Sequence, residues 1–350
     1  MSGSCTHQRF QSDGTMKEQP PFDWRAINEQ RQSKGMLPIW PRNVFGFPRA
    51  LARSALFSAR PRRGPVDQSR RSIASRRDVA VQLQGDHLEQ TDCDVLLGAV
   101  DFAQRLRVPL SEEYSLKRSA LLQSIGRTTG CSDYRWLEAG LRRLESATVE
   151  ISVSSGRRDP MATRFRLLES VRVDVHTNDL ILKLDPGILP LMHADGCAFI
   201  DREARMKIVA QRNLTKWIQA YACSHKQGEQ KLSFEKFQAW SGCATYRSRD
   251  FADALYEALI ELNRTREIAL KCWDAGKKCV TWIRQSYPDR RYCDKVAGTE
   301  GGEWAVQNAP VLVELLRFDR RSGGGPCLKG ANDVDALFRQ IVRQSRRDAA

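Results

Sequence analysis

The chain has 350 residues, of which 41% are hydrophobic and 28% charged, a composition that excludes a largely disordered protein. Lysine and arginine number 56 against 42 acidic residues, so the net charge is +14 and the surface field favours a polyanion such as nucleic acid. No apolar run reaches the roughly 20 residues of a membrane-spanning helix, and the N-terminus lacks the apolar centre of a signal peptide, so we expect a cytoplasmic protein.

The N-terminal third of the sequence changes character several times. Residues 1–36 are polar and without periodicity, and we interpret them as a flexible arm. Residues 37–59 are rich in proline and aromatic residues and contain a short amphipathic run. After an arginine-rich loop, residues 78–85 alternate like a strand, and 91–106 have helical spacing. Thr91 is the expected N-cap of that helix.

The next segment has the order of a winged helix. Residues 115–126 and 132–147 have helical spacing and flank a short turn, and the second helix carries a leucine stripe. Residues 148–175 then alternate as a β-hairpin with Arg157 and Arg158 at its tip. In a winged helix the second helix of the turn enters the major groove and the hairpin reaches the flanking backbone.

The same order recurs in the C-terminal half. Residues 206–225 predict one long helix, 233–240 a short helix, and 246–262 a second helix with an apolar side. Residues 266–285 predict another hairpin, again with a basic tip, formed by Lys277 and Lys278. The repetition predicts two tandem winged-helix units.

A short motif is repeated at the turn of each unit. It reads GCSDYR at 130–135 and GCATYR at 242–247. We expect its glycine to meet the need for a positive φ in the turn, and its cysteine to pack between the helices. The Tyr-Arg pairs should begin the second helix of each unit and face outward, where side chains reach base edges and phosphates.

Catalytic and metal-binding patterns are missing from the sequence. The ten cysteines form no Cys-x-x-Cys pair, and the five histidines are isolated from one another. The closest approach to a phosphate-binding loop, Gly325 to Gly330, is followed by Ala331 where a lysine is required. We therefore expect no metal, no cofactor and no catalytic residue, and do not expect an enzyme.

Four segments resemble a known family. Residues 37–59, 78–103, 121–151 and 214–225 are similar to the TrfA family of plasmid replication initiators, and the resemblance extends in order over residues 37 to 285. It implies tandem winged-helix domains that bind direct repeats, called iterons, at a plasmid origin and help to open the duplex. It also implies contacts with the host initiator, helicase and sliding clamp. Residues 132–143 and 245–253 match the two recognition helices of that family.

Together these features predict an α+β protein with two tandem winged-helix domains, a flexible N-terminal arm and a C-terminal extension. The expected boundaries are 1–36 for the arm, 37–190 and 191–285 for the two domains, and 286–350 for the extension, which ends in an amphipathic helix. The predicted partner is double-stranded DNA in the bacterial cytoplasm, and homodimerisation is left open. The residues expected to contact DNA are Ser132, Tyr134, Arg135, Arg142, Arg143, Arg157, Arg158, Tyr246, Arg247, Arg249, Lys277 and Lys278.

Two other functions fit parts of the pattern. A winged-helix transcriptional repressor would share the DNA-binding units but would not support plasmid replication in trans. A nicking or recombining enzyme would form a covalent adduct with DNA, and the isolated histidines argue against it.

Overall fold

The computed structural model describes residues 24–40, 43–61, 69–154, 161–193, 196–209, 211–225, 228–265 and 267–284. These residues form a mixed α and β protein. The helices are α1 (Trp24–Ser33), α2 (Arg49–Ala52), α3 (Gln90–Leu106), α4 (Arg118–Ser124), α5 (Cys131–Ser146), α6 (Leu189–Met192), α7 (Arg202–Lys207), α8 (Asn213–Cys223), α9 (Phe234–Trp240) and α10 (Ser248–Arg264). None of the helices in this part of the chain is both long and apolar enough to span a membrane.

The strands assemble into several small sheets. They are β1 (Val44–Pro48), β2 (Phe57–Ser58), β3 (Arg71–Ile73), β4 (Val79–Gln84), β5 (Leu88–Glu89), β6 (Tyr114–Leu116), β7 (Thr148–Val153), β8 (Met161–Arg166), β9 (Ser170–Val173), β10 (Leu180–Lys183), β11 (Cys197–Asp201), β12 (Glu229–Ser233), β13 (Ile268–Asp274) and β14 (Cys279–Arg284). The largest sheet has the order β3-β4-β7-β8, and two three-stranded sheets have the orders β6-β10-β9 and β12-β14-β13. Strands β1 and β11 form an antiparallel ribbon, and β2 and β5 a short parallel pair.

The first core lies between the four-stranded sheet and the helices α3 and α5. Strand β4 buries every second residue, as a strand packed on one face requires. Helix α5 contributes the predicted stripe of Leu137, Leu141 and Leu144, which is fully buried. The predicted strand at 78–85 and the predicted helices at 91–106 and 132–147 are therefore confirmed, and β7 and β8 form the predicted hairpin.

The second core is rich in aromatic residues and lies between α8, α9, α10 and the sheet of β12, β13 and β14. The Trp217 and Tyr221 rings stack with their centroids 5.0 Å apart, and Phe237 lies 5.4 Å from Trp282. The short helix, the second helix and the hairpin of this unit form where the sequence predicts them. Each unit thus has two helices joined by a turn, followed by a hairpin.

Three sequence-based expectations differ from the structure in the connecting elements. Residues 24–33, expected in the flexible arm, form helix α1. Helix α3 begins one residue before Thr91 and is capped by Glu89, because the Asp92 side chain accepts a hydrogen bond from the Glu89 backbone N–H at 2.9 Å. The segment 162–175 is divided between β8 and β9, which belong to different sheets.

The expected long helix at 206–225 is also wrong, and its interruption has a physical reason. Helix α7 ends at Lys207 and α8 begins at Asn213. Arg205 and Lys216 bind the two oxygens of one carboxylate, Asp94. In one continuous helix the two residues would be about 16 Å apart along the axis, so the break is required for them to converge.

The Asp94 carboxylate joins helix α3 of the first core to α7 and α8. Arg205 Nε lies 2.8 Å from Asp94 Oδ1, and Lys216 Nζ lies 2.5 Å from Asp94 Oδ2. Arg205 also donates to Gln90 Oε1 at 2.9 Å and to the Lys216 carbonyl at 2.6 Å. All four residues are buried, so the three charges are exposed to little water and each depends on the others.

Helix α8 is shared by both cores. Its Ala220 and Cys223 belong to the first core, whereas Trp217, Ile218 and Tyr221 belong to the second. Strand β11, which follows the predicted domain boundary at 190/191, pairs with β1 and packs in the first core. The division into domains stays a prediction, but the two cores share one helix along their contact.

A second set of polar contacts holds the end of α8 to the first unit. Arg53 pairs with Asp78 at 2.9 Å and donates to the Ser224 carbonyl at 2.6 Å. The Trp217 indole N–H donates to the Ser54 carbonyl at 3.0 Å. Because these bonds cross between the units, they restrict the orientation of one unit relative to the other.

The two copies of the repeated motif occupy different places in their units. Gly242 has the expected positive φ of +79°, but Gly130 has a φ of −82° and is the N-cap of α5. The glycine that matches Gly242 in position is Gly126, with a φ of +74°, two residues after the end of α4. Cys243 is buried as expected, whereas Cys131 is exposed. The motif is therefore a sequence repeat without structural equivalence.

Gly242 also makes a close approach between the units. A Cβ atom on Gly242 would lie 2.3 Å from the Ser58 Oγ of the first unit, whereas one on Gly130 would lie no closer than 3.8 Å to any neighbour. The backbone N–H of Ala59 donates to the Ser241 carbonyl at 2.8 Å beside it. Only Gly242, of the two motif glycines, combines a positive φ with a lack of space.

We expect Gly242→Ser to lower the free energy of unfolding by about 1–2 kcal/mol or more, because the positive φ is unfavourable for a residue with a Cβ atom and Ser58 must move. Gly130→Ser is the matched control. Serine is a favourable N-cap, so stability should be unchanged or raised by up to about 0.5 kcal/mol. Chemical denaturation of both variants checks this, and equal losses would contradict the assignment.

We expect Asp94→Ala to lower the free energy of unfolding by about 3–5 kcal/mol, because Arg205 and Lys216 would remain buried without their counter-charge. Glu203→Ala is the control, since it removes an exposed pair with Lys207 and should change stability by less than about 0.5 kcal/mol. Urea titrations of the two variants make the comparison.

The pH dependence provides a check on the same carboxylate. Burial acts to raise the pKa of Asp94, but the charges of Arg205 and Lys216 outweigh burial and hold the pKa below its ordinary value. A carboxylate with a lowered folded pKa adds stability above its unfolded pKa, and that stability is lost as the pH falls. The difference in Tm between wild type and Asp94→Ala should be largest at neutral pH and should decrease as the pH is lowered. A Tm difference that increases on acidification would contradict the lowered pKa of Asp94.

Candidate nucleic-acid interface

Helix α5 has a continuous outward face of small and basic residues. Ser132, Arg135, Ala139 and Arg142 are all exposed. With about 100° of rotation per residue, these four positions lie on one side of the helix, opposite the buried leucine stripe. Arg135 and Arg142 are predicted contacts and have no ion-pair partner among the described residues. This face can approach a groove closely and present two guanidinium groups to it.

The turn before α5 is fixed by one carboxylate. Asp133 accepts a hydrogen bond from the Thr128 hydroxyl and lies 3.1 Å from the Arg127 guanidinium, and these contacts lower its pKa, the Thr128 bond most of all. Arg127 in turn lies 3.5 Å above the Trp136 ring. Since Asp133 and the Trp136 ring both hold Arg127, its side chain stabilises the turn. The outward positive charge of α5 therefore comes from Arg135 and Arg142.

Two of the predicted contacts in α5 have other partners. Arg143 donates from Nη2 to Asp92 Oδ1 at 2.6 Å, and that carboxylate is fully buried. Tyr134 is half-buried against the first core and lies under the Arg118 guanidinium at 5.0 Å. Because these contacts hold both side chains against the protein, we assign Arg143 and Tyr134 to packing and correct the expectation that they face outward.

Helix α10 begins differently from α5. Its N-cap is Arg247, so the Tyr-Arg pair precedes the helix, whereas Tyr134 and Arg135 lie in its second turn in α5. Arg247 and Arg249 are exposed beside the free N–H groups of the first turn, which together favour a phosphate. Tyr246 is half-buried and packs against the second core.

The outward face of α10 is acidic from its first turn, where Asp250 is exposed beside Arg249. Asp253 and Glu257 are exposed, and Glu257 pairs with Arg212 at 2.8 Å. Carboxylates repel the DNA backbone, although they can accept from a cytosine amino group. In the N-terminal half of α10 the exposed basic residues are therefore Arg247 and Arg249, and the next arginine, Arg264, lies in its last turn, whereas the exposed arginines of α5 are spread along the helix.

The hairpin of the second unit has the predicted basic tip. Lys277 and Lys278 are exposed, and Lys278 has a φ of +49°. Asp274 accepts from the Lys277 backbone N–H at 2.8 Å and lies 3.7 Å from its Nζ. Arg157 and Arg158, the predicted tip of the first hairpin, lie outside the described residues.

Sequence reasoning missed two basic residues on β8 and an aromatic contact between α10 and β13. Arg164 and Arg166 are exposed on β8, on either side of the buried Phe165. The alternation in that strand was the available signal, since it turns both arginines outward. The exposed Tyr256 of α10 lies 5.2 Å from the Trp273 ring of β13, a contact that only the tertiary structure creates.

Comparison with known proteins gives a family. The model of the family described as TrfA protein matches residues 23–277. A search of curated protein sequences finds no significant match.

Solved structures give looser alignments. Domains 2 and 3 of RctB, as a selenomethionine derivative, align with a TM-score of 0.45 and 12% identity, over 69% of this chain and 99% of that chain. The Pi initiator protein in complex with iteron DNA aligns with a TM-score of 0.44 and 12% identity, over 71% of this chain and all (100%) of that chain. The family model, by contrast, spans well over half of the 350 residues and includes both helix–turn–helix units, and the chain therefore belongs to the TrfA family of plasmid replication initiators.

Proposed function

We propose that this protein starts plasmid replication by binding direct repeats at the origin as double-stranded DNA, through two winged-helix units formed by α4, α5, β7 and β8 and by α9, α10, β13 and β14. The observation that carries the proposal is the outward face of α5. A helix that buries leucines on one side and presents Arg135 and Arg142 on the other, next to a hairpin, has the features of a recognition helix.

The two units make different contacts with DNA in this proposal. Helix α5 lies along the major groove, where Arg135 and Arg142 read base edges or bind phosphates. Helix α10 enters with its first turn only, so that Arg247 and Arg249 meet the DNA while Asp253 stays at a distance. Lys277 and Lys278 bind the backbone from the second hairpin and position the protein without reading sequence.

Joining the two units raises their combined affinity. Once one unit is bound, the other is held at a high effective concentration near the adjacent groove, about 10 base pairs along the duplex. The contacts across the units, such as the bonds around Asp94, support a fixed spacing between the two binding events. Direct repeats with a constant internal spacing are the kind of site that such a protein selects.

Duplex opening and recruitment follow from binding in this proposal and need no catalysis. Bending of the bound DNA stores energy that favours unpairing of a neighbouring AT-rich stretch. The host initiator, helicase and sliding clamp are the proposed partners for loading the replication machinery in the bacterial cytoplasm. Sedimentation with and without DNA distinguishes the monomer from the homodimer as the active form.

The decisive experiment combines footprinting with a plasmid maintenance test. Protection of short direct repeats beside the gene, together with support of an origin-bearing plasmid in trans, is the expected result. Protection without plasmid maintenance would instead indicate a repressor, and a covalent protein–DNA adduct would indicate a nicking or recombining enzyme.

We expect Arg135→Ala and Arg143→Ala to separate binding from folding. Arg135→Ala should weaken binding to the repeat by about 1–3 kcal/mol and leave the Tm unchanged, because the side chain is exposed. Arg143→Ala should lower stability by about 3–5 kcal/mol, because Asp92 would be left buried without its partner. Electrophoretic mobility shifts and thermal melts measure the two effects, and a reversed pattern would refute the assignment.

We expect Arg247→Ala and Lys277→Ala to differ in specificity. If Arg247 reads a base, its loss should weaken binding to the repeat by about 1–3 kcal/mol with little effect on random DNA. Lys277→Ala should weaken binding to the repeat and to random DNA alike, and should reduce the magnitude of the slope of log K against log salt by about 0.9. Equal losses on specific and random DNA for Arg247→Ala would limit that residue to phosphate contact.

A further inference from the structure

Helix α10 and strand β13 are joined side by side through two side-chain contacts. The side-chain carbonyl of Asn263 accepts a hydrogen bond from the Leu270 backbone N–H at 2.9 Å, and the Tyr256 ring meets the Trp273 ring edge to face, with centroids 5.2 Å apart. Seven residues of helix rise by about 10.5 Å and three residues of strand by about 10 Å, so the two contacts are matched in spacing. The strand therefore runs antiparallel to α10 along one side of it.

The same spacing brings the start of the helix level with the tip of the hairpin. Seven residues before Tyr256 on α10 comes Arg249, and three or four residues after Trp273 the hairpin reaches Lys277. Because seven residues are almost two full turns, Arg249, Tyr256 and Asn263 form one line on the helix surface. We call this line, together with the adjoining strand β13, the α10–β13 seam. Its open end is basic, and the Asn263 hydrogen bond closes its other end.

A β-bulge in β13 turns Trp273 toward the seam. The pairing with β14 shifts register between Leu270 and Cys272, so β13 contains one extra residue there. In a regular strand Leu270 and Trp273, three positions apart, would lie on opposite faces, whereas here both pack against the second core. Phe234 of α9 also holds Trp273, with ring centroids 4.4 Å apart. Bulges that re-aim a side chain in this way are common beside functional sites.

Tyr256 stays at the surface in spite of this packing. Its side chain is 46% exposed, and its hydroxyl has no hydrogen-bond partner in the part of the chain that the structure describes. Because the Trp273 ring holds one side of it, Tyr256 loses little further freedom when a partner binds. The seam thus presents a hydrogen-bond donor in a fixed position.

The carboxylates of α10 lie to one side of this line. At 100° per residue, Asp253 and Glu257 are displaced around the helix from Tyr256 in the same direction, by about 60° and 100°, whereas Arg249 is displaced by only about 20°. All four side chains are exposed. DNA that lies on the Tyr256 side of α10 would therefore meet Arg249 and the hairpin lysines, and would be separated from the acidic residues.

We propose that one phosphate backbone of the bound duplex runs along the α10–β13 seam, and that the Tyr256 hydroxyl donates to a phosphate oxygen there. The inference rests on the proposed function and adds a path for the DNA to it. Arg249 and Lys277 supply positive charge at the open end of the seam, and Trp273 is a positioning residue that holds Tyr256. A tyrosine contact of this kind fixes the position of the DNA without reading its sequence.

Tyr256→Phe tests the contact, because the variant keeps the ring and removes only the hydroxyl. Fluorescence anisotropy with the footprinted repeat and with random duplex should show binding weakened about tenfold on both. The slope of log K against log salt should not change, since a phenol neutralises no charge, and the Tm should not change either. Tyr134→Phe is the matched control: it removes the same atom from a tyrosine packed against the first core, and it should bind DNA as wild type does.

A double-mutant cycle tests the positioning role of Trp273. Trp273→Leu should weaken binding to a similar extent, but should have little further effect in the Tyr256→Phe background, where the hydroxyl that it positions is already absent. Additive losses would overturn this role.

Three other outcomes would overturn the phosphate contact. A loss confined to the repeat would place the Tyr256 hydroxyl on a base. Wild-type affinity in Tyr256→Phe would overturn the inference alone and leave the proposed function standing. Failure of the wild-type protein to bind either duplex would overturn both.

Discussion

The buried carboxylate of Asp94 is the constraint on which the arrangement of the two units depends. It is the shared counter-charge of Arg205 and Lys216, which come from consecutive helices and would otherwise be buried without any acidic partner. Ion pairs of this kind add little net stability compared with apolar packing, but they tolerate few alternative geometries. These two ion pairs therefore favour one position of α7 and α8 relative to α3. Other contacts between the units, from Arg53 and Trp217, then form in the same geometry.

Because α8 contributes residues to both cores, it couples the position of one core to that of the other. A helix that contributes residues to both cores cannot rotate without disturbing packing on each side. Proteins joined by a flexible linker can adjust the distance between their DNA-binding units, whereas a shared buried helix opposes that adjustment. In the proposed function, this rigidity would convert the spacing of the repeats into a criterion for binding.

The two helix–turn–helix units have similar frames and different surfaces. In both, a seven-residue helix is followed after two residues by a glycine with positive φ, and a leucine stripe with the same spacing packs inward. On the outside, α5 presents arginines along its length, and α10 presents arginines only at its two ends. Core packing restricts the inner residues to apolar types, but no such restriction applies to the outer face, which can diverge.

The sequence by itself determined the order of the elements, because periods of two and 3.6 residues follow from which face is buried. It also determined the leucine stripes, the exposed Arg135 and Arg249, and the basic hairpin tip at Lys277 and Lys278. Only the tertiary structure decided which motif glycine needs a positive φ and which is the N-cap of a helix. Gly242 is required where Ser58 approaches, whereas Gly130 is the N-cap of a helix, and two six-residue segments that match at four positions could not distinguish them. It also decided that Arg143 binds a buried carboxylate 51 positions earlier and that helix α7 stops before α8. Such outcomes depend on partners distant in sequence, which local periodicity does not record.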